Sequence, residues 1–561
     1  MFKEETIKEI RDEFDRWHEE ALKKAENAPD WQDEVITESG IPIKLIYTPE
    51  DIEDFDYSRD LNFPGQYPFT RGPYHTMHRG RKWTMRALSG LGSPEAERER
   101  LLYLQEAGET GLNVLVDLPT YRGLDPDNPL CEGEVGRAGV NISSYQDFKR
   151  MFEGIDLSKV SFSLVAGAAG AVLTTMYWLL CKERGYDMSR LEGSTQNDLL
   201  KDQEVVGCAC CFGVRGSVKV SLDLIEFMTA NLPRWNTVTF NGHAMRDNGV
   251  NAVQEIAWCM ANAKLYAQEL VKRGLHIDAF VPRFAFFFGV DENFFEEIAK
   301  FRAARRIWAR LMQEEFNTTN PRSCALRMAV QSTGRIFTAQ QPYINLMRGA
   351  FQSLAAVLGG CQSLNTDTLD EALGIPQPIA SELALRTQQI VAYETRVTDT
   401  IDPLAGSYYV ESLTKAIEGR VHEYMEKLDA LGGPLEALEK GFFEKEWTEA
   451  SLKYTNDIMD GKKTRIGVNK FVKTDGDDHE FHPFRVPPHY EEIQADRVRK
   501  LRQERDNAEY EAALDKIRGL ARREENVIPG IAEALEADAT IGEISDVLRE
   551  FYGAYQPHSV R

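Results

Sequence analysis

The sequence predicts an α/β protein built on a (β/α)8 barrel, with a helical arm before it and a helical extension after it. Between residues 65 and 400, short apolar runs of strand length alternate with longer runs whose apolar residues recur at helical spacing. Eight strand candidates occur, the number that closes a TIM barrel. No G-x-G-x-x-G opens a helix after the first of them, which sets an open, doubly wound dinucleotide-binding sheet behind the barrel.

Residues 1–60 are expected to be the arm. The opening "MFKEETIKEIRDEFDRWHEEALKKAENA" is charged, helical in period and without an apolar h-region, so it is not a secretory signal. Residues 61–400 are expected to be the barrel. Its strand candidates are "PFTRG" (68–72), "NVLVDL" (113–118), "VSFSLV" (160–165), a weaker run ending at "GSTQND" (193–198), "TVTFNG" (237–242), "AFVPRFAFFF" (279–288), "ALRMAV" (325–330) and "GCQSLN" (360–365). Among the helices between them, 292–316 carries one apolar stripe of Phe294, Ile298, Phe301, Ile307 and Leu311. A turn-rich break at 397–411 leads to a helical region, 401–473. The remainder, 474–561, reads as a Pro- and Asp-rich linker followed by charged helices. Thr540 and Glu543 are spaced as a capping box for the last of these.

The composition excludes several roles. A chain of 561 residues with 42% hydrophobic content can bury a large core. Its formal charge of −23 argues against nucleic-acid binding, which needs a broad basic face. No run of about 18 apolar residues suggests a membrane span. "SFSLVAGAAGAVLTTMYWLLC" comes nearest and reads as a buried strand entering a buried helix. The 8 cysteines have no metal spacing and fit a reducing cytoplasm, with those of "GCACCF" expected as small buried thiols in a strand. Against this acidic background, "YPFTRGPYHTMHRGRKWTMR" (67–86) collects Arg71, Arg79, Arg81, Lys82 and Arg86, and no Asp or Glu falls between Asp60 and Glu95. Such a local patch suits a compact polyanion, such as a coenzyme with phosphates.

Polar motifs recur at the C-terminal ends of the strand candidates, where barrel enzymes place their chemistry. No machinery of its own accompanies them. G-x-S-x-G is absent, His75 and His78 form H-x-x-H without an acidic partner, and Asp117, Asp247 and His243 are acid–base candidates that nothing marks as a set. A polar, phosphate-friendly strand edge without evident catalytic groups points to a bound cofactor that carries the chemistry.

The 67–86 segment, "GLNVLVDLPTYRGLDPDNP", "GSTQNDLLK", "VPRFAFFFGVDENFFEEIAKFRAARRIWARL", "TAQQPYINLMRGAFQSLAAVLGGCQSLNTDTLDEAL", "IDPLAGSYYVE" and "IGVNKF" together resemble the large, barrel-bearing subunit of adenosylcobalamin-dependent acyl-CoA mutases, the methylmalonyl-CoA mutase family. The resemblance implies a radical carbon-skeleton isomerisation of an acyl-CoA whose coenzyme arm threads a barrel lined by small hydrophilic residues. It implies acyl-CoA contacts from Tyr74, Met77, Arg81, Thr84, Arg86, Asn113, Ser194, Gln196 and Arg283, with Arg81 and Arg86 as phosphate partners. It implies adenosylcobalamin contacts from Val116, Ala138, Val205, Asp247, Gly334, Glu371 and Gly374. Asp-x-His-x-x-Gly, which supplies the cobalt ligand in this family, is missing, and "DDHEFH" (477–482) is the nearest approach. A separate small cobalamin-binding subunit is therefore expected, in a dimer of such heterodimers.

Three departures from the family pattern bear on substrate. Leu88 stands where the methylmalonyl enzyme has Tyr over the substrate. Val206 (or Gly207, with an insertion placed earlier) stands where Arg pairs with the substrate carboxylate, and Leu115 lies nearby. Burying an unpaired carboxylate costs several kcal/mol, so a branched or bulky apolar acyl group is expected, isobutyryl-like or pivalyl-like. A 2-hydroxyisobutyryl group fits less well, since that specificity is expected to use Asp at position 115. The alternative is a relocated carboxylate partner, Arg79, Arg215 or Arg246. Finally, the family His that bonds the thioester carbonyl falls at Ala244 and its neighbouring Tyr at His243. Adjacent strand residues face opposite ways, so His243 substitutes only if the strand end twists. Loss of that hydrogen bond would slow turnover by roughly 10²–10³; either His243 or His78 substitutes, the donor comes from elsewhere, or the chain is a weakly active or non-catalytic acyl-CoA-binding paralogue.

Overall fold

The computed structural model describes residues 3–25, 28, 31–206, 212–473, 486–487 and 489–556, with the side chain of Val206 excepted. The expectations for the "GCACCF" cysteines and for "DDHEFH" lie outside the described residues.

Ten strand segments form two five-stranded sheets. They are β1 (Thr84–Arg86), β2 (Leu88–Ser89), β3 (Gly111–Leu115), β4 (Ser161–Val165), β5 (Gly193–Gln196), β6 (Trp235–Asn236), β7 (Val238–Asn241), β8 (Phe284–Val290), β9 (Met328–Ser332) and β10 (Ser363–Asn365). One sheet runs β2-β3-β4-β5-β6 and the other β1-β10-β9-β8-β7, with every pair parallel. Ala87 alone separates β1 from β2, and Thr237 alone separates β6 from β7.

Parallel neighbours require crossovers, and helices supply them. The long ones are α1 (Glu4–Ala25), α2 (Pro94–Glu106), α3 (Tyr145–Met151), α4 (Gly170–Glu183), α5 (Val214–Asn231), α6 (Ala252–Lys272), α7 (Phe294–Glu314), α8 (Asn345–Leu358), α9 (Pro378–Tyr393), α10 (Tyr408–Ala430), α11 (Phe442–Met459), α12 (His489–Glu504), α13 (Asn507–Arg522), α14 (Ile528–Glu536) and α15 (Ile541–Tyr552). The run suspected of membrane character is the buried strand β4 passing into the buried helix α4. Among the described residues no helix is long and apolar enough to cross a membrane.

One expectation is corrected. "PFTRG" is not a strand; the first begins at Thr84. Phe69 has φ 63° and Gly72 φ 117°, so the backbone turns, and Gly65 N–H donates to Gly72 O at 2.9 Å. Arg305 closes the turn by donating to Thr70 O through Nε (3.1 Å) and Nη2 (2.8 Å). Helix α7 buries the expected stripe, and α10 covers its other side as well. Its buried Arg302 reaches Asp402 and Glu411 at 2.5 Å each, and buried Arg306 pairs with Glu418.

One face of every strand packs on helices. Met85, Phe240, Phe286, Val330 and Leu364 enter one apolar cluster; Leu112, Val114, Phe162 and Leu164 enter another, joined by Ile517, Ile531 and Ile544 of the C-terminal helices. α15 starts with the expected capping box of Thr540 and Glu543.

The opposite, inner face is built differently. Strand alternation assigns to it Thr84, Arg86, Asn113, Ser161, Ser163, Ser194, Gln196, Thr239, Asn241, Ala285, Ala329, Gln331, Ser363 and Asn365. Register confirms the layering: Asn113 pairs with Ser163, Ser163 with Ser194, and Arg86 with Asn365. Most of these side chains are small or polar where a packed interior would carry Val, Ile and Leu; toward the C-terminal edge the same register adds Leu88, Leu115, Val165 and Phe287 to this face.

Candidate active site

The site has three parts along this inner face. At the N-terminal edge of the strands, cations gather. Arg283 immediately precedes β8 and Arg327 immediately precedes β9. Burial holds the Arg283 guanidinium down at about 10, and Arg327, Arg234 and Arg322 reinforce the effect, while Tyr74 opposes it. Arg327 is steadied by Asn236 Oδ1 (3.0 Å) and Pro282 O (2.5 Å). Among the described residues no acceptor or carboxylate meets Arg283. A cation crowded by cations and stripped of water is a site for an anion. Tyr74 and Arg81 stand exposed on the same approach to β1, and Met77 is buried.

Along the inner face, Arg86 is engaged by three strands: it donates to Ser363 Oγ (3.0 Å), Leu112 O (2.5 Å) and Ser161 Oγ (2.6 Å). Ser194 Oγ donates to Ser163 Oγ at 3.1 Å. Asn113 Oδ1, Thr239 Oγ1 and both amide atoms of Asn365 are buried without a hydrogen-bond partner. Native interiors seldom leave such groups unpaired, and a polar chain lying along this face would satisfy them.

At the C-terminal edge, a cavity of about 460 Å3 brings together Leu88, Leu115, Ala138, Glu371 and Gly374. Val116 and Ala138 become neighbours because Val116 bridges Val140. Gly139 makes that possible: at φ 157°, a Cβ there would lie 2.3 Å from the Val116 carbonyl carbon. Asp117, an acid–base candidate in the sequence, instead ties this loop, accepting from Thr120 N, Gly136 N and Asn141 Nδ2; burial lifts its carboxyl to about 6.

Carboxyls ring the same edge. Burial and then Asp247 and Asp370 lift Glu371 to about 7. Asp367 is raised by burial and then by Glu371 and Asp247, and it accepts from Gln331 Nε2 at 2.8 Å. Gly334 leaves the space for Glu371: a Cβ there would sit 3.3 Å from Glu371 Cγ. Asp247 Oδ1 is buried and unpartnered. Val205 is buried in the turn Asp202–Val206; the Val206 side chain lies outside the described residues.

His243 and Ala244 are not strand residues, which corrects the alternation argument. β7 ends at Asn241, and a short helix, Gly242–Asp247, carries both. His243 Nε2 lies 3.0 Å from Ser332 O and 3.3 Å from Asp247 Oδ2, with its ring 5.3 Å from that of Phe287. Nor do His75 and His78 act as a pair: His78 Nε2 bonds Cys361 O at 2.6 Å. Of the relocated carboxylate partners, Arg246 is fully buried among Glu38, Glu255, Asp291 and Glu297, and Arg215 is exposed beside Glu436 and Glu439. Arg79 is exposed ahead of β1, and none of the three lines the cavity.

The sequence profile of the methylmalonyl-CoA mutase family matches residues 36–554. The chain belongs to the methylmalonyl-CoA mutase family. It is 40% identical over 537 residues to the 2-hydroxyisobutanoyl-CoA mutase large subunit of Aquincola tertiaricarbonis, covering 95% of this chain and 94% of that one. It is 35% identical over 554 residues to the methylmalonyl-CoA mutase of Rhizobium meliloti, covering 98% and 76%. It is 35% identical over 546 residues to the methylmalonyl-CoA mutase large subunit of Streptomyces virginiae, covering 96% and 73%. The protein is thus an acyl-CoA mutase large subunit, an isomerase.

Within this mutase, sequence reasoning missed Arg327, Asp367 and Asn241. Arg327 carried a usable signal, since "LRMAV" repeats the Arg-before-strand pattern of "PRFAFF". Asp367 and Asn241 carried none, because their roles come from partners on other strands.

Proposed function

We propose that this mutase binds an acyl-CoA with a branched or bulky apolar acyl group along its inner face and isomerises it with adenosylcobalamin, whose cobalt is ligated by a partner small subunit. The observation that carries the substrate reading is the cavity where Leu88 and Leu115 meet Ala138, Glu371 and Gly374. Leu115 offers a hydroxyl no partner, which favours isobutyryl-like or pivalyl-like groups over 2-hydroxyisobutanoyl. Arg137 and Arg100 also line the cavity. Arg137 is exposed beside Glu134 at 3.5 Å, and Arg100 is taken up by Ser381.

The arrangement supports one closed (β/α)8 barrel. Ala87 and Thr237 each interrupt a single bent strand, so the two sheets share both of their edges. Arg283, Arg81 and Tyr74 then hold the phosphates at the barrel's N-terminal mouth; Arg86, expected beside Arg81 as a phosphate partner, is instead taken up by Ser363, Leu112 and Ser161 and flanks the coenzyme arm with Thr84, Asn113 and Ser194, while Gln196 meets the acyl end. Val116, Ala138, Val205, Asp247, Gly334, Glu371 and Gly374 form the cofactor face. The unpartnered Asp247 Oδ1 and the Gly334 cradle fit a large polar group there. Adenosylcobalamin, when bound, supplies the radical chemistry for which this chain has no group of its own. The chain's part is to bind and orient the ester, exclude water and hold a proton on Glu371 near neutrality. A cytoplasmic location and a dimer of heterodimers complete the reading.

Co-expression with the small subunit, followed by anaerobic incubation with adenosylcobalamin and a panel of acyl-CoAs, tests it. Isomerisation of isobutyryl- or pivalyl-CoA is expected. Rapid turnover of methylmalonyl-CoA would overturn the apolar-pocket reading, and product from no acyl-CoA would leave an acyl-CoA-binding paralogue.

A further inference from the structure

Asn241, the last residue of β7, makes two bonds at once. Its Oδ1 accepts the Ala244 N–H at 3.0 Å and caps the helix Gly242–Asp247. Its Nδ2 donates to Gln196 Oε1, at the end of β5, at 2.6 Å. Asn241 is 5% exposed and Gln196 7%. The cap fixes the assignment of both amides. Only an oxygen can accept from Ala244, so the Asn241 nitrogen meets Gln196, and Gln196 must turn its oxygen toward Asn241. Its Nε2, with two protons, is left to face the inner surface, and among the described residues no acceptor is bonded to it.

The nearby side chains cannot fill the same role. Ala244 offers a methyl group. His243 Nε2 faces the Ser332 carbonyl and the Asp247 carboxylate, both acceptors, so its proton is already engaged there. We propose that Asn241 is a positioning residue that locks the Gln196 amide as a donor into the inner face, where it takes the thioester carbonyl of the acyl-CoA. This rests on the acyl-CoA reading above and adds to it the residue that orients the donor, at a site where position 244 is Ala.

Asn241→Asp tests it cleanly, because Asp caps a helix as well as Asn does but cannot donate to Gln196. The Gln196 nitrogen must then turn to the new carboxylate and its oxygen must face the ligand. Calorimetric titration of the full chain, alone and with its small subunit, compares isobutyryl-CoA with the S-isobutyl thioether, which lacks only the carbonyl oxygen. The wild type is expected to prefer the thioester by roughly tenfold, the worth of one hydrogen bond. Asn241→Asp should abolish that preference, as should Gln196→Glu, which leaves the cap untouched, and the double variant should lose no more than either single one. A preference retained in both single variants, or absent in the wild type, overturns the assignment. Failure of the wild type to bind either compound overturns instead the acyl-CoA reading beneath it.

Discussion

Glu109 should make this protein less stable as pH rises, and replacing it with Gln should remove much of that loss. The strand interruption between β1 and β2 has a chemical origin: the Ala87 N–H donates not to a neighbouring strand but to Glu109 Oε1, at 3.0 Å. Four residues on, the Leu91 N–H donates to Glu97 Oε2 at 2.9 Å. The segment that presents Leu88 to the cavity thus hangs from two buried carboxyls. Burial, the dominant cause, lifts each to about 8 from an ordinary 4.5; the backbone donors and Arg100 pull the other way. A carboxyl whose folded value is raised contributes stability that is complete below about pH 4.5 and is lost as pH climbs through about 8. At 1.36 kcal/mol per pH unit of displacement, the loss approaches about 5 kcal/mol for each group, of which about 3 kcal/mol falls between pH 5.5 and 8.5. Glu109→Gln keeps an acceptor for Ala87 and cannot ionise. Urea unfolding of both proteins at those two pH values should show the variant gaining about 3 kcal/mol on the wild type across the interval. An equal gap at both values would refute the reasoning, since it would mean that Glu109 is already ionised at pH 5.5.

Arg283→Ala should weaken coenzyme A binding by about 10- to 100-fold, flatten its salt dependence and leave the melting temperature unchanged, because the guanidinium serves no internal acceptor. Titration with coenzyme A at two ionic strengths checks this. Gly334→Ala places a methyl group against Glu371 Cγ and should lower adenosylcobalamin affinity by about tenfold while sparing coenzyme A binding, which is measurable by separate titrations. Leu88→Ala enlarges the cavity and should shift kcat/KM toward bulkier acyl groups by about 10- to 200-fold relative to isobutyryl-CoA. A competition assay with paired substrates reads that ratio directly.

Most strands were legible because each keeps one apolar face, and apolar runs are what a sequence displays. The first strand was not: Thr84–Arg86 is short and puts polar groups inward, whereas "PFTRG" has strand-like residues but a positive φ at Phe69 that no periodicity reveals. The burial of the charged flank of helix α7 was not legible, because those charges find their partners about 100 residues later on α10. Family motifs could nominate only residues that would act by their own chemistry, as proposed for Arg283 and Glu371. Residues that act by holding another were silent: Ala87 meets Glu109 across 22 residues, Gln196 meets Asn241 across 45, and Asn236 meets Arg327 across 91.

The inner face has a consequence for the life of the protein in a cell. Asn113, Thr239 and Asn365 keep buried polar atoms without a hydrogen-bond partner among the described residues, and the proposed acyl-CoA would complete that part of the interior from outside. A ligand that completes an interior stabilises it by mass action, by about 2.7 kcal/mol at a hundred times its Kd. On the proposed binding mode, the subunit starved of its ester would be a house lacking an inner wall, more open to proteolysis. Supplied with it, the same chain would persist, so the abundance of the enzyme would follow the abundance of what it consumes without any regulator between them.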